Sequence, residues 1–134
     1  MKRLLLILCL TIGLSACACN AAPTVEVNTA PCGEITVSGN PPRPTSAKLA
    51  ATSASCLAQA FRACAPKKLT IRQPETGAVR EFNIVPGPSC SLQETWQQAK
   101  NLPIVSAGCK NVRAENGKLV IEGCAQFGDF TLNP

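Results

Sequence analysis

The stretch TSAKLAATSASCLAQAFRACAPKKLTIRQ, residues 45–73, contains the change of periodicity that decides the fold. Before Pro66, small and apolar residues recur at helical spacing, through Leu49 and Phe61. Thr45 can cap the first turn and proline cannot continue the last one, so we predict a single helix here. After Pro66 the pattern alternates with period two, which is typical of a half-buried strand.

The alternation continues downstream, which predicts a sheet for the helix to pack on. VREFNIV, residues 79–85, follows a PETG turn and reads as a second strand. CSLQETWQQ, residues 90–98, is predicted to be a third strand with Leu92 and Trp96 inward. A helix is the alternative, because Ser91 and Glu94 have capping-box spacing. We therefore predict an α+β domain with one helix packed on a small antiparallel sheet.

The segment GCKNVRAENGKLVIEGC, residues 108–124, is predicted to be a hairpin turning at Asn116 and Gly117, the strongest short hairpin signal. Residues that pair across this turn have numbers that sum to 233, and so do Cys109 and Cys124. Directly opposed residues lie within disulfide range. We predict a Cys109–Cys124 disulfide, placed on the solvent side of the hairpin by the alternation of its charged residues.

The chain has nine cysteines, and seven of them lie from Cys19 onward; if the chain is exported, this density predicts a framework of disulfides that supports a thin core. Four further cysteines are available for two bridges: Cys32, Cys56, Cys64 and Cys90. Along a helix Cys56 and Cys64 would lie about 12 Å apart, too far to bond. The pairs are then Cys32–Cys56 with Cys64–Cys90, or Cys32–Cys64 with Cys56–Cys90. Bonding of the helix cysteines to the hairpin cysteines remains the alternative.

The first residues, MKRLLLILCLTIGLSAC, have the layout of a secretory leader. Two positive charges precede an apolar core from Leu4 to Leu14, eleven residues long. A membrane-spanning helix needs about 20 residues, so we expect no permanent span here.

The end of this leader, LSAC at residues 14–17, resembles the lipobox of bacterial lipoproteins. The resemblance implies cleavage before Cys17, a diacylglycerol on its thiol and an acyl chain such as palmitate on the new amino terminus. Ala18, in place of Asp, implies sorting to the outer membrane. Ordinary cleavage after Ala18 is the alternative, because Ala16 and Ala18 also form an A-x-A site.

The chain is thereby divided into a signal peptide (1–16), a lipidated, Pro-rich tether (17–45) and a disulfide-stapled domain (46–134). Cys19 is left over when the six later cysteines pair among themselves. It is the candidate unpaired thiol, and it could link two membrane-bound copies into a dimer.

Composition limits the chemistry. The chain has no His and no Tyr, and its one Asp is Asp129, so we see no catalytic constellation and predict that it is not an enzyme. No cofactor motif occurs, and the absence of C-x-x-C and His argues against a metal site. Loss of Lys2 and Arg3 lowers the formal charge from +5 to +3, too mild to indicate nucleic-acid binding.

The predicted function is therefore a non-catalytic binding or structural role at the membrane surface, with an envelope protein as a candidate partner. The alternative is an inhibitor of a host or envelope hydrolase, a lysozyme or a protease, acting through loops at Pro86–Pro88 and Leu102–Ser106. The block CLAQAFRACAPKKLTI is similar to the opening of small secreted one-helix, disulfide-bonded domains of unassigned role, which implies a fold and no activity.

Overall fold

The computed structural model describes residues 30–134; the predicted leader, the lipid site at Cys17 and the thiol of Cys19 lie outside the described residues. The described chain contains one helix and two sheets, which confirms the α+β class. In chain order the elements are β1 (Ala30–Ser38), β2 (Arg43–Pro44), α1 (Ala47–Arg62), β3 (Lys67–Gln73), β4 (Ala78–Val85), β5 (Ser91–Gln97), β6 (Val105–Cys109), β7 (Asn111–Glu115), β8 (Lys118–Cys124) and β9 (Gly128–Leu132). Within this range no helix has the length and apolarity needed to cross a membrane.

The larger sheet has six strands in the order β2-β1-β3-β4-β5-β6, and the smaller one has the order β7-β8-β9. All neighbours are antiparallel except β1 and β3, which are parallel. The expectation of a wholly antiparallel sheet is corrected at this pair. Because α1 lies between β1 and β3 in sequence, it carries the chain back to the end of the sheet where β1 began.

Strand β1 lies within the segment 17–45 that was predicted to be a tether. Ile35 and Val37 are buried in the core, and β1 pairs along its length with β3. The prolines that suggested a tether lie mainly in the short connection from β1 to β2. The boundary predicted at residue 46 is therefore wrong, since residues 30–45 belong to the folded domain.

Helix α1 begins one residue later than Thr45 predicted. Ser46 is the N-cap, and its hydroxyl accepts a hydrogen bond from the backbone N–H of Leu49 at 3.3 Å. The Thr45 hydroxyl instead donates to the carbonyl of Thr36. The helix ends at Arg62, and Cys64 lies beyond it with a φ of +49°. Its buried face carries mostly alanines, which allow a close approach to the strands.

One apolar core joins the helix and both sheets. The side chains buried on the inner face of the large sheet are Ile35, Val37, Leu69, Ile71, Phe82, Ile84, Leu92, Glu94, Ala107 and Cys109. Helix α1 and the β7–β9 sheet together cover this face, and rings of Phe82 and Phe130 meet between the sheets with centroids 5.5 Å apart. The structure also confirms residues 91–97 as a strand rather than a helix.

The hairpin turns where the sequence predicted. Asn116 and Gly117 have φ values of +52° and +78°, as a type I′ turn requires, and the register runs from Glu115↔Lys118 to Asn111↔Glu122. The cysteines at its base are bonded, with an S–S distance of 2.01 Å.

The predicted solvent-side position of this disulfide is wrong, because Cys109 and Cys124 are both buried. The pairing of β8 with β9 shifts between Ile121 and Cys124, where Gly123 has a φ of +66°. An extra residue in a strand reverses the side to which the following residue points. Cys124 therefore turns into the core.

A second disulfide joins Cys32 to Cys56, which selects one of the two predicted pairing schemes and ties β1 to α1. The remaining members of that scheme, Cys64 and Cys90, are present as thiols. They are close enough for Cys64 to affect the pKa of Cys90, so the fold brings together the pair that the sequence predicted to bond.

Candidate functional site: a groove over Arg80

The inner face of the large sheet is left open at one end, where a groove of about 400 Å³ forms. Its floor comes from β3, β4 and β5, one wall from the connection between β1 and β2, and another from β9. This volume lies within the range of small-molecule sites in proteins. The lining residues are Val37, Gly39, Asn40, Pro42, Ile71, Gln73, Thr76, Ala78, Val79, Arg80, Trp96, Gln98 and Phe130.

Arg80 lies in the floor of the groove because its neighbours across the sheet are Ile71 on β3 and Trp96 on β5. Its guanidinium carbon is 4.4 Å from the centroid of the Trp96 ring and 4.5 Å from that of Phe130. The cation is thus held against two aromatic faces, an arrangement that favours and orients a guanidinium. Only 18% of the Arg80 side chain is exposed.

Behind Arg80, the Glu94 carboxylate is entirely buried in the core. The Nε atom of Arg80 lies 3.1 Å from Glu94 Oε1, yet this oxygen has no hydrogen bond with adequate geometry among the described residues. The contact is therefore an ion pair without a well-directed hydrogen bond. The other oxygen, Oε2, lies 3.7 Å from the sulfur of Cys109, which is bonded and carries no proton.

Burial decides the direction of both pKa shifts at this pair. Desolvation raises the pKa of Glu94, and the attraction of Arg80 opposes it only in part. Desolvation likewise lowers the pKa of Arg80, against the attraction of Glu94. Such a pair costs free energy to bury, and a buried charge retained in a cleft is characteristic of functional sites.

Glu94, Cys109 and Cys124 are close enough together to suggest a metal site. However, both sulfurs are joined in a disulfide and cannot act as thiolate ligands. With one carboxylate left, and that carboxylate paired with Arg80, this cluster does not fit a metal ion.

Other basic residues do not join Arg80. Arg72 and Lys68 lie on the opposite face of the sheet, paired with Glu34 at 2.8 Å and with Glu81 at 3.5 Å. Their charges are therefore matched by acidic neighbours on an exposed face.

The two loops suggested for an inhibitor lie at opposite ends of the large sheet. Pro86–Pro88 is in the exposed connection from β4 to β5, whereas Leu102–Ser106 spans the end of the next connection and the start of β6. In the second loop Leu102, Ile104 and Val105 are 47%, 66% and 39% exposed. They form an apolar edge at the groove end of the sheet, distant from the prolines.

The thiols of Cys64 and Cys90 lie at the end of the sheet away from the groove. Burial, with a hydrogen bond and charge repulsion from Cys64, raises the pKa of Cys90 to about 11. The Sγ of Cys90 is 3.6 Å from the carbonyl oxygen of Phe61. Cys90 is therefore a protonated thiol at neutral pH and a poor nucleophile in this state.

Sequence analysis placed Trp96 on the inward side of the third strand but did not identify Arg80 and Glu94 as its neighbours. The strand alternation carried a signal, because residues two apart in a strand lie on the same face. Arg80 is two residues from the inward Phe82, and Glu94 is two residues from the inward Leu92. A comparison of the chain with known protein families, curated proteins and solved structures found no match, so the site has to be interpreted from its own geometry.

Proposed function

We propose that this protein is a bacterial envelope lipoprotein, anchored by lipid at Cys17, whose domain binds a small ligand in the Arg80 groove without catalysis. The observation that carries the proposal is the groove itself. It combines an apolar lining, one stacked cation and a volume of about 400 Å³. A few polar groups in an apolar concavity are what ligand-binding sites have in common.

The anchor rests on the leader and the LSAC motif at residues 14–17. A lipid on Cys17 would leave twelve residues before β1 begins at Ala30, enough to hold the domain away from the bilayer. Under this proposal, the Ala at position 18 supports sorting to the outer membrane. The absence of His from the whole sequence supports binding over acid–base catalysis.

Native mass spectrometry of the full chain, purified from the envelope fraction, tests the binding role. We expect a non-covalent occupant that is lost on denaturation. Ala78→Leu fills the groove and should exclude the occupant, whereas Ala125→Leu, at an exposed position outside the groove, should retain it. Empty wild-type protein, or an occupant retained by Ala78→Leu, would contradict the proposal.

Fractionation tests the anchor. Wild-type protein should sediment with membranes and Cys17→Ser should be soluble, while Cys19→Ser should sediment as the wild type does. A disulfide-linked dimer that disappears in Cys19→Ser would establish that thiol as the linkage. Recovery of wild-type protein as a soluble, unlipidated species would refute the anchor.

The second candidate function is inhibition of a lysozyme or protease, and the exposed apolar edge at Leu102, Ile104 and Val105 favours it. An inhibitor should act on at least one enzyme of a hydrolase panel. Ile104→Ser should weaken that inhibition, with Leu49→Ser on the exposed side of α1 as the control. Uniform failure across the panel would remove this candidate.

A further inference from the structure

The groove has the charge pattern of a receptor for anions. Among its described lining residues, Arg80 carries the only charge. Its counter-ion, Glu94, is buried behind it and takes no part in the lining. A molecule entering the groove therefore meets the guanidinium and not the carboxylate.

The guanidinium also has unused donors. Its near neighbours are two ring faces and the carboxylate oxygen that accepts no directed hydrogen bond. Glu94 Oε1 accepts no well-directed hydrogen bond from it, and the Arg80 nitrogens are not among the fully buried, unpaired polar atoms of residues 30–134. The donors therefore face the groove, where an occupant that supplies paired oxygens can accept charge-assisted hydrogen bonds from them. The planar carboxylate matches the guanidinium fork best.

The rest of the groove favours hydrocarbon. Ile71, Val37 and Ala78 contribute aliphatic surface beside the two rings, and amides such as those of Gln73 and Gln98 are the polar groups nearby. Burial of an apolar body against these walls contributes about 25 cal/mol for each Å² removed from water. The groove thus places one anion-binding group, the Arg80 guanidinium, beside an apolar surface.

We propose that the ligand is a small apolar carboxylic acid, with its carboxylate on Arg80 and its hydrocarbon body along Ile71, Trp96 and Phe130. This inference rests on the proposed function and names the chemical class that the groove selects. Glu94 acts as a positioning residue, because its ion pair holds the guanidinium between the rings.

Isothermal titration of the full chain carrying Cys17→Ser, which removes the lipid site, tests the class with three probes of equal length. Octanoate should bind at least about tenfold more tightly than 1-octanol, as expected for a charge-assisted contact. Octylamine should bind more weakly than either. Arg80→Met should abolish the preference for octanoate, and Arg72→Met, which removes a cation from the opposite face, should keep it.

Because Arg80→Met leaves Glu94 buried without a partner, the pair of substitutions Arg80→Met and Glu94→Gln is tested in parallel, with circular dichroism to confirm folding. Equal affinity for octanoate and 1-octanol, or octanoate binding retained by both Arg80 variants, would overturn the inference. If wild-type protein carries an occupant that Ala78→Leu excludes but no octyl probe binds, the ligand class is wrong and the proposed function stands. If neither occupant nor probe binds, both fall.

Discussion

Replacement of Arg80 by Met should destabilise the domain strongly, because it removes the counter-ion of a fully buried carboxylate. Glu94 is 0% exposed, and its other neighbours supply no hydrogen bond to Oε1. Breaking a buried ion pair by removing one partner costs about 3–5 kcal/mol. Loss of the contact with the two rings adds about 0.5–2 kcal/mol. Methionine keeps much of the packing, so the electrostatic cost should dominate.

The double substitution Arg80→Met with Glu94→Gln separates charge from packing. It removes both charges, so its cost should fall well below that of Arg80→Met alone. Arg72→Met breaks the exposed pair with Glu34 and should cost at most about 1 kcal/mol. The assay is urea unfolding at neutral pH followed by far-ultraviolet circular dichroism. A cost below about 1 kcal/mol for Arg80→Met, or a double variant as unstable as the single one, would refute the reasoning.

Three further expectations concern Glu94, the pair of thiols and the helix core. Burial raises the pKa of Glu94 in the folded state. Wild-type protein should therefore lose stability relative to Glu94→Gln as pH rises from the ordinary carboxyl pKa of about 4.3 through the folded value. A difference in urea midpoints that does not change with pH would contradict this. Glutathione disulfide should oxidise Cys64 and Cys90 to a third intramolecular disulfide, releasing two molecules of reduced glutathione. The intact mass of the protein should fall by two hydrogens. If both thiols can still be alkylated after this treatment, the expectation is wrong. Leu57→Ala should lower the free energy of unfolding by about 2–5 kcal/mol, measured by thermal or urea unfolding. Leu49→Ala, on the exposed side of the same helix, should lower it far less. Equal losses would show that Leu57 is not in the core.

Local periodicity was enough to predict the helix, the strands β3, β4 and β5, and the hairpin at Asn116 and Gly117. These elements carry their signals within about twenty residues of sequence, and the turn residues fix the register that opposes Cys109 to Cys124.

Features that depend on distant residues were not predictable in the same way. The alternation of EITVS, residues 34–38, is compatible with a strand inside the predicted tether, but the place of this strand in the sheet depends on a parallel partner beyond the helix. Cys124 turns inward because of an irregularity at Gly123, which reverses the alternation on which the solvent-side prediction relied.

The candidate site was predictable only in part. Alternation in β4 and β5 already places Arg80 and Glu94 on the inward side, so their proximity could have been inferred. The groove could not, because Phe130 reaches it from β9 and another wall comes from residues 39–42, at opposite ends of the described chain.

The most direct test of ligand binding in the groove uses Trp96, because it is the only tryptophan in the chain and so gives a single indole signal in nuclear magnetic resonance. Titration of the isotope-labelled Cys17→Ser chain with octanoate should shift the indole N–H of Trp96 together with the side-chain signals of Arg80 in a saturable manner. Shifts confined to the exposed edge at Leu102 and Ile104, with the Trp96 signal unmoved, would contradict a binding site in the groove.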